Sequence, residues 1–245
     1  MPNSSPDLCQ SLTWDSEFFG VRIARINMDR LSPETMATAL AWCDAHEVDC
    51  LYFLSTTEDA ETTRTVEQER FQLVDMRLTL EAKLKPDRPS AMADGIRLYQ
   101  AHDLEALKAI ARYNHTDTRF YYDSHFDRAA CDRLYEVWIE KSCLGDAQAV
   151  IVGDRGGAAV AYITCHLEAD GTGKIGLVGV GQGYQGEGIG GGLVSGALAW
   201  FAQQGVSHIT VVTQGRNVRA QRLYQRYGFI TRSVQLWYHR WFNRQ

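Results

Sequence analysis

Residues 178–198 read VGVGQGYQGEGIGGGLVSGAL. A strand-like run opens the segment and an apolar helical run closes it, so the backbone N–H groups of Gln185, Gly186, Glu187, Gly188, Ile189 and Gly190 can converge on one anion at a helix N-terminus. Gly186 and Gly188 let the backbone approach phosphate oxygens with no Cβ in the way, and Gly190 is expected to let the helix sit close to the sheet. A phosphate site is the direct inference. As a bare GxGxG the signal is weak. A dinucleotide fold would place such a loop after the first strand of a βαβ unit with an acidic residue about 20 positions on, whereas here three strands come first and the downstream strand reads HITVVTQ. No GK[ST] follows the glycines, which excludes a P-loop.

The elements that must hold this loop follow from the apolar patterning. From Gln148 onward AVIVG, AAVAYITCHL and KIGLVGV alternate with turns at Asp154–Gly157 and Ala169–Gly173, an antiparallel meander. A helix over 190–204 stops at Gly205, the strand HITVVTQ follows, a second helix covers 218–227, and the last strand is 229–239. The order β-β-β-α-β-α-β predicts a mixed-sheet α/β fold. Between 95 and the meander, helices are expected at 103–112 and 128–141, separated by the aromatic and charged loop HTDTRFYYDSHFD.

Shifting the chain by 158 positions lays residues 39–80 on 197–238 without a gap. ALAW recurs at Ala39–Trp42 and Ala197–Trp200, Val48 meets Val206, and Phe71 meets Phe229. This reads either as chance agreement of two helix-strand-helix-strand patterns or as a degenerate tandem repeat. On the repeat reading, residues 1–85 form a subdomain without the glycine loop that walls one side of the substrate cleft. Residues 95–245 form the catalytic domain, and the Pro-rich linker falls at Lys83–Asp94.

Composition narrows the partners. With 245 residues, 45% hydrophobic content and a net charge of −5 without like-charge runs, neither nucleic acid nor an anionic membrane is a natural counterpart. The start MPNSSPDLCQ has no leader pattern and no stretch is long and apolar enough to span a bilayer, which predicts a cytoplasmic protein. The six cysteines show no metal-ligand spacing and are expected to be reduced thiols, with no metal bound.

Against this background the chain resembles the GNAT acetyltransferase superfamily. Gln185, Gly188 and Gly190 fill the family's coenzyme motif, and Asn217, Ala220, Leu223, Tyr224, Gly228 and Phe229 in NVRAQRLYQRYGF stand at the spacing of its second motif. The resemblance implies acetyl-CoA as co-substrate, its pantetheine pairing with a splayed strand around Leu177, Val178 and Val180, and Asn217 bonding the pantetheine arm. It further implies Tyr224 as the general acid for the CoA thiolate and the backbone N–H near Val178 as an oxyanion donor. On spacing alone, Tyr224 reads first as a packing residue of an amphipathic helix, and it is Asn217 and Gly228 at the motif's spacing that favour the catalytic role.

A narrower resemblance covers almost the whole chain. LTWDSEFFGVRIARI, TRFYYDSHFD and LYEVWIEKS are similar to the branch that acetylates dTDP-4-amino-4,6-dideoxygalactose, although the N-terminal part here is longer. It implies a small-molecule acceptor, a dTDP-linked amino sugar, with Arg119 on the diphosphate, Phe120 or Tyr122 stacking on base or sugar, and Asp123 on the amine. Those aromatic residues read equally as loop anchors. His166, Glu168 and Asp123 each stand where a general base could sit. The partner expectation leaves room for a homodimer, and two other readings stay open: acetylation of an antibiotic or peptide amine, and a non-catalytic acyl-CoA-binding module.

Overall fold

Strand and helix bounds follow the apolar periodicity closely. The structure, a computed structural model, describes residues 7–84 and 92–242, so most of the expected linker lies outside the described residues. Two compact units are present, neither contiguous in sequence. The first holds residues up to 77 together with 119–126 and those from 234, and the second holds 78–118 and 127–233.

In the second unit, β5 (Ile96–Leu98), β6 (Ala149–Arg155), β7 (Ala158–Leu167) and β8 (Gly173–Val180) pair antiparallel in turn, and β8 pairs parallel with β9 (His208–Gln214). The C-terminal part of β4 (Gln72–Lys83) lies beside β9. The parallel pair needs a crossover, supplied by α7 (Ile189–Gln203), which is apolar on all sides and buries Leu193, Val194, Ala197, Leu198 and Phe201. Helices α4 (Leu104–Asn114) and α6 (Arg128–Lys141) also belong here, the latter capped by the Asp127 carboxylate accepting from Ala130 N–H. The expected loop between them contains the short helix α5 (Arg119–Tyr122), which belongs to the first unit.

In the first unit, β1 (Cys9–Ser11) pairs antiparallel with β2 (Ile23–Ile26), β2 parallel with β3 (Cys50–Thr56), and β3 antiparallel with β10 (Ile230–Trp241). One sheet face packs Ala24, Ile26, Leu51, Phe53 and Tyr238 against α2 (Pro33–Ala45) and α3 (Ala60–Gln68). The short α1 (Thr13–Phe19) ends at Gly20 in the left-handed conformation.

The 158-residue offset reappears in the elements. It carries β3 onto β9, α3 onto α8 (Val218–Arg226) and β4 onto β10 with identical bounds. Local bonds follow. Val48 N–H donates to Cys43 O and Phe71 N–H to Val66 O, as Val206 does to Phe201 and Phe229 to Tyr224. The two non-glycine residues with positive φ among the described residues, Glu47 and Arg70, stand 158 positions before Gly205 and Gly228. The correspondence ends between strand and helix: residues 27–32 join β2 to α2 with no glycine, where 181–188 join β8 to α7.

A partly buried polar stack just past the end of α4 joins it to β7. The His115 ring shares a 2.8 Å hydrogen bond from its Nε2 with the Tyr162 hydroxyl and stacks on Tyr135, whose hydroxyl donates to Thr118. Burial pushes the His115 pKa down to about 4. The unfolded chain, with an imidazole pKa near 6.5, therefore binds more protons below that pH, so this stability is present above about pH 6.5 and is lost as pH falls through the folded value. We predict a loss of order 2 kcal/mol between pH 7 and 4 from this group. Urea unfolding at several pH values should show a shallower slope for His115→Gln; equal slopes would refute the assignment.

Candidate active site

The β8–β9 pairing covers only Gly173↔Ile209, Lys174↔Thr210 and Ile175↔Val211. From Gly176 to Val180, β8 keeps its β7 neighbour but no longer pairs with β9, so the two parallel strands form a fork with one edge of β8 open. A register shift in β7 between Ile163 and Cys165 lets Thr164 Oγ1 accept the Leu177 N–H at 2.8 Å. At the far end, Asn114 Oδ1 accepts from Val180 N–H at 3.1 Å. The glycines of β8 serve the neighbouring side chains: a Cβ at Gly179 would lie 2.6 Å from the Tyr162 ring, and one at Gly176 would lie 2.5 Å from Thr164 Oγ1.

The loop 181–188 runs from the open strand end to α7. Gly186 and Gly188 hold φ of +92° and +82°, and a Cβ on either would meet no protein atom within 4 Å. Gly188 is the N-cap of α7, with no side chain accepting from the first-turn N–H groups. A helix start left uncapped presents its orphan donors outward, the arrangement that suits an anion. The loop is braced by Gln185, whose Nε2 donates to Val180 O while its Oε1 accepts from Arg219 Nη1 at 2.7 Å. One expectation is corrected here. A Cβ at Gly190 would make only ordinary contacts, 3.5 Å from Leu223, whereas the close approach of α7 to the sheet falls at Gly192 and Gly196, where a Cβ would lie 3.1 and 2.9 Å from the Ile96 side chain of β5.

On α8, Asn217 is the N-cap, its Oδ1 accepting from Ala220 N–H at 3.0 Å. Its side-chain NH₂ is thereby oriented by the cap. Tyr224 is 4% exposed, its ring 5.7 Å from that of Phe229 within the core cluster that also holds Ile189 and Val211. Burial raises the phenol pKa well above its ordinary range, which keeps the proton on oxygen. The other base candidates of this unit are engaged. His166 has Nδ1 3.2 Å from Asp146 O and Nε2 3.1 Å from Thr164 Oγ1, and Glu168 pairs with Lys174.

The residues expected to meet the acceptor lie in the first unit. The Arg119 guanidinium sits 4.1, 4.2 and 4.5 Å from the ring centres of Tyr52, Phe120 and Trp237, and its Nη1 donates to His239 Nε2 at 2.7 Å. His239 Nδ1 donates to Asp123 Oδ2 at 2.6 Å, and Trp241 Nε1 donates to the same oxygen at 2.8 Å. Asp123 Oδ1 accepts from His125 N–H and bonds His125 Nδ1. Burial opposes the Asp123 charge, yet these donors hold its carboxyl below the usual range, while burial lowers His239 to about 4. Asp123 is thus 3% exposed and fully occupied, and Phe120 is buried against Phe19 and Phe126. Tyr122 is exposed. His239 and Trp241 escaped sequence reasoning, although their alternation in QLWYHRW places them on one strand face.

Among the described residues no group of three or more His, Cys, Asp or Glu is arranged to hold a metal, and no helix is long and apolar enough to cross a membrane. The six cysteines form no disulfide among the described residues.

Comparison with known proteins agrees with this geometry. The spore coat polysaccharide biosynthesis protein SpsD of Bacillus subtilis is 31% identical over 57% of the chain, a match that spans only 48% of that relative. The dTDP-fucosamine acetyltransferase of Escherichia coli O6:H1 is 26% identical over 94% of the chain and 97% of its own length. Among solved structures, a GCN5-related N-acetyltransferase from Sphaerobacter thermophilus shares the fold, with a TM-score of 0.69 at 15% identity over 95% of this chain and 76% of that one. A tandem GNAT protein from the clavulanic acid biosynthesis pathway gives 0.59 at 12% identity over 91% of this chain and 76% of that one. The Acetyltransferase (GNAT) family profile matches residues 104–229, about half of the sequence and the whole of the glycine loop and α8, and the chain belongs to that family of acetyltransferases.

Proposed function

We propose that the protein transfers acetyl from acetyl-CoA to the amino group of a nucleotide-linked amino-dideoxy sugar of the dTDP type. The observation that carries the coenzyme half is the open edge of β8 at Gly176–Val180 running into an uncapped helix start at Gly188. The acceptor half is supported by the end-to-end likeness to a dTDP-fucosamine acetyltransferase. Acetyl-CoA supplies an activated thioester that a neutral amine takes, forming C–N as C–S breaks. The amide groups of 185–190 hold the pyrophosphate, and the backbone of Leu177, Val178 and Val180 together with the Asn217 amide orients the pantetheine arm. The Val178 N–H polarises the acyl oxygen. Tyr224 gives its proton to the departing sulfur and regains one from water. The amine loses its proton to water. Residues 1–85 are on this reading a degenerate copy of the same fold that has given up the coenzyme loop.

The test is release of CoA thiol with dTDP-4-amino-4,6-dideoxygalactose, compared with an aminoglycoside and a peptide amine. Turnover should appear with the nucleotide sugar and exceed the other two by at least about 100-fold in kcat/KM, as expected where charged recognition groups distinguish acceptors. Equal or greater turnover of the cationic amines would reject the acceptor, and no turnover of any would favour a binding module.

A further inference from the structure

The first unit contains a fork of its own. Strands β2 and β3 pair parallel at Ile23↔Cys50, Ala24↔Leu51 and Arg25↔Tyr52 and no further, three pairs as in β8 and β9. Beyond the last pair lies a groove of about 540 Å³. Arg25, Asn27 and Asp29 line it from the end of β2, Leu54 from β3, and Gln235 and Trp237 from β10. This is where the second copy carries its glycine loop. Here the connection 27–32 has no glycine to bare its amides, and the groove offers side-chain cations instead.

Arg25 lines it, two further arginines touch its lining residues, and none of the three forms an ion pair among the described residues. Arg25 is exposed on the wall and bonds only neutral groups, Asn27 Oδ1 at 2.9 Å and Gln10 Oε1 at 3.4 Å. Arg77 joins the lining through Gln235, its Nη1 donating to Oε1 at 2.8 Å. Arg77 is half-buried, and desolvation alone lowers its pKa, so no carboxylate compensates it. Arg119 lies behind Trp237 on an imidazole that burial keeps neutral. Three carboxylates stand near the cluster: Asp29 on the rim, Asp15, which feels both Arg25 and Arg119, and Asp123, which the His239 ring separates from Arg119. A guanidinium removed from water with only an amide oxygen as partner is costly, and a phosphate that accepts its remaining N–H groups relieves that cost. A half-buried indole beside such cations suits a nucleobase.

We propose that this groove binds a nucleoside diphosphate, with the phosphates on Arg25, with Arg77 and Arg119 adding charge behind Gln235 and Trp237, and with the pyrimidine on the Trp237 indole. The assignment rests on the acceptor class proposed above. Its test is calorimetric titration of dTDP into the full chain saturated with acetyl-CoA, so that the glycine loop is already filled. One site is expected. Its affinity should fall at least tenfold in Arg25→Met and in Trp237→Leu, with acetyl-CoA affinity unchanged. Inorganic pyrophosphate should lose affinity in Arg25→Met only, because it has no base to stack. Arg25 is an exposed side chain, so its replacement does not endanger folding.

Unchanged dTDP affinity in both variants would overturn the assignment. So would two acetyl-CoA molecules per chain with dTDP displacing one, which would make the groove a second coenzyme site. The two proposals fail separately. Turnover of nucleotide amino sugars together with unchanged dTDP binding in Arg25→Met would remove this site and leave the function. Groove binding of dTDP without acetylation of any nucleotide-linked amine would remove the function and leave a nucleotide site.

Discussion

Gly188→Val is expected to weaken acetyl-CoA binding by at least about 100-fold, roughly 3 kcal/mol, while the protein stays folded. Gly188 has φ of +82°, a conformation a β-branched residue adopts only with strain. Relief of that strain would re-aim the first-turn N–H groups of α7. The added side chain meets no protein atom within 4 Å of its Cβ, so it projects into the space the phosphates would need rather than into the core. A control separates strain from binding. Gly171 also has positive φ, +81°, and open surroundings, but it lies in the turn between β7 and β8. Gly171→Val should carry a similar stability cost and leave coenzyme affinity intact. Equal affinities of Gly188→Val and the parent chain, read by calorimetry, would remove the loop from the coenzyme site.

Tyr224→Phe is expected to lower kcat about 100-fold, the lower end of general acid catalysis, with little change in coenzyme affinity. The phenyl ring keeps the packing on Phe229, so the variant loses a proton donor and not a core residue. Burial also makes a statement about pH. Because it raises the phenol above its ordinary range, Tyr224 stays protonated to pH values above about 10. The parent enzyme should therefore show no alkaline fall of kcat traceable to this group below that pH. A Tyr224→Phe variant with full turnover would leave the tyrosine a packing residue, the alternative its spacing in an amphipathic helix always allowed.

Much of the fold was legible in the residues because local signals agreed with the tertiary result. β7 and β9 begin and end where the apolar alternation does, and α6 spans Arg128–Lys141 as its pattern requires. The 158-residue offset was visible through ALAW and a few aliphatic positions, and its element bounds coincide because helix and strand lengths are set by the same caps and stops. The fork in β8 was not readable from composition. It depends on where parallel pairing ceases, and Gly176 and Gly179 look like ordinary strand glycines until Thr164 and Tyr162 are seen lying over them.

The residues expected to meet the acceptor were the least legible. TRFYYDSHFD advertises polar and aromatic chemistry, but half of it is directed inward. Asp123 draws His239, Trp241 and His125 around itself because a buried carboxylate must be hydrogen-bonded, and its partners come from 116 to 118 positions away or from a nearby turn. No local pattern reports such a network. Conversely, Arg25 and Arg77 carried no motif. Their significance lies in having no ion-pair partner among the described residues, which only the folded arrangement reveals.

Titration of the purified full chain with acetyl-CoA tests the central claim most directly. One coenzyme is expected to bind per chain through the amides of 185–190, with desulfo or free CoA binding in the same place and nicotinamide dinucleotides and nucleoside triphosphates much more weakly. A chain that ignores CoA while taking up a nicotinamide dinucleotide or a nucleoside triphosphate would contradict it.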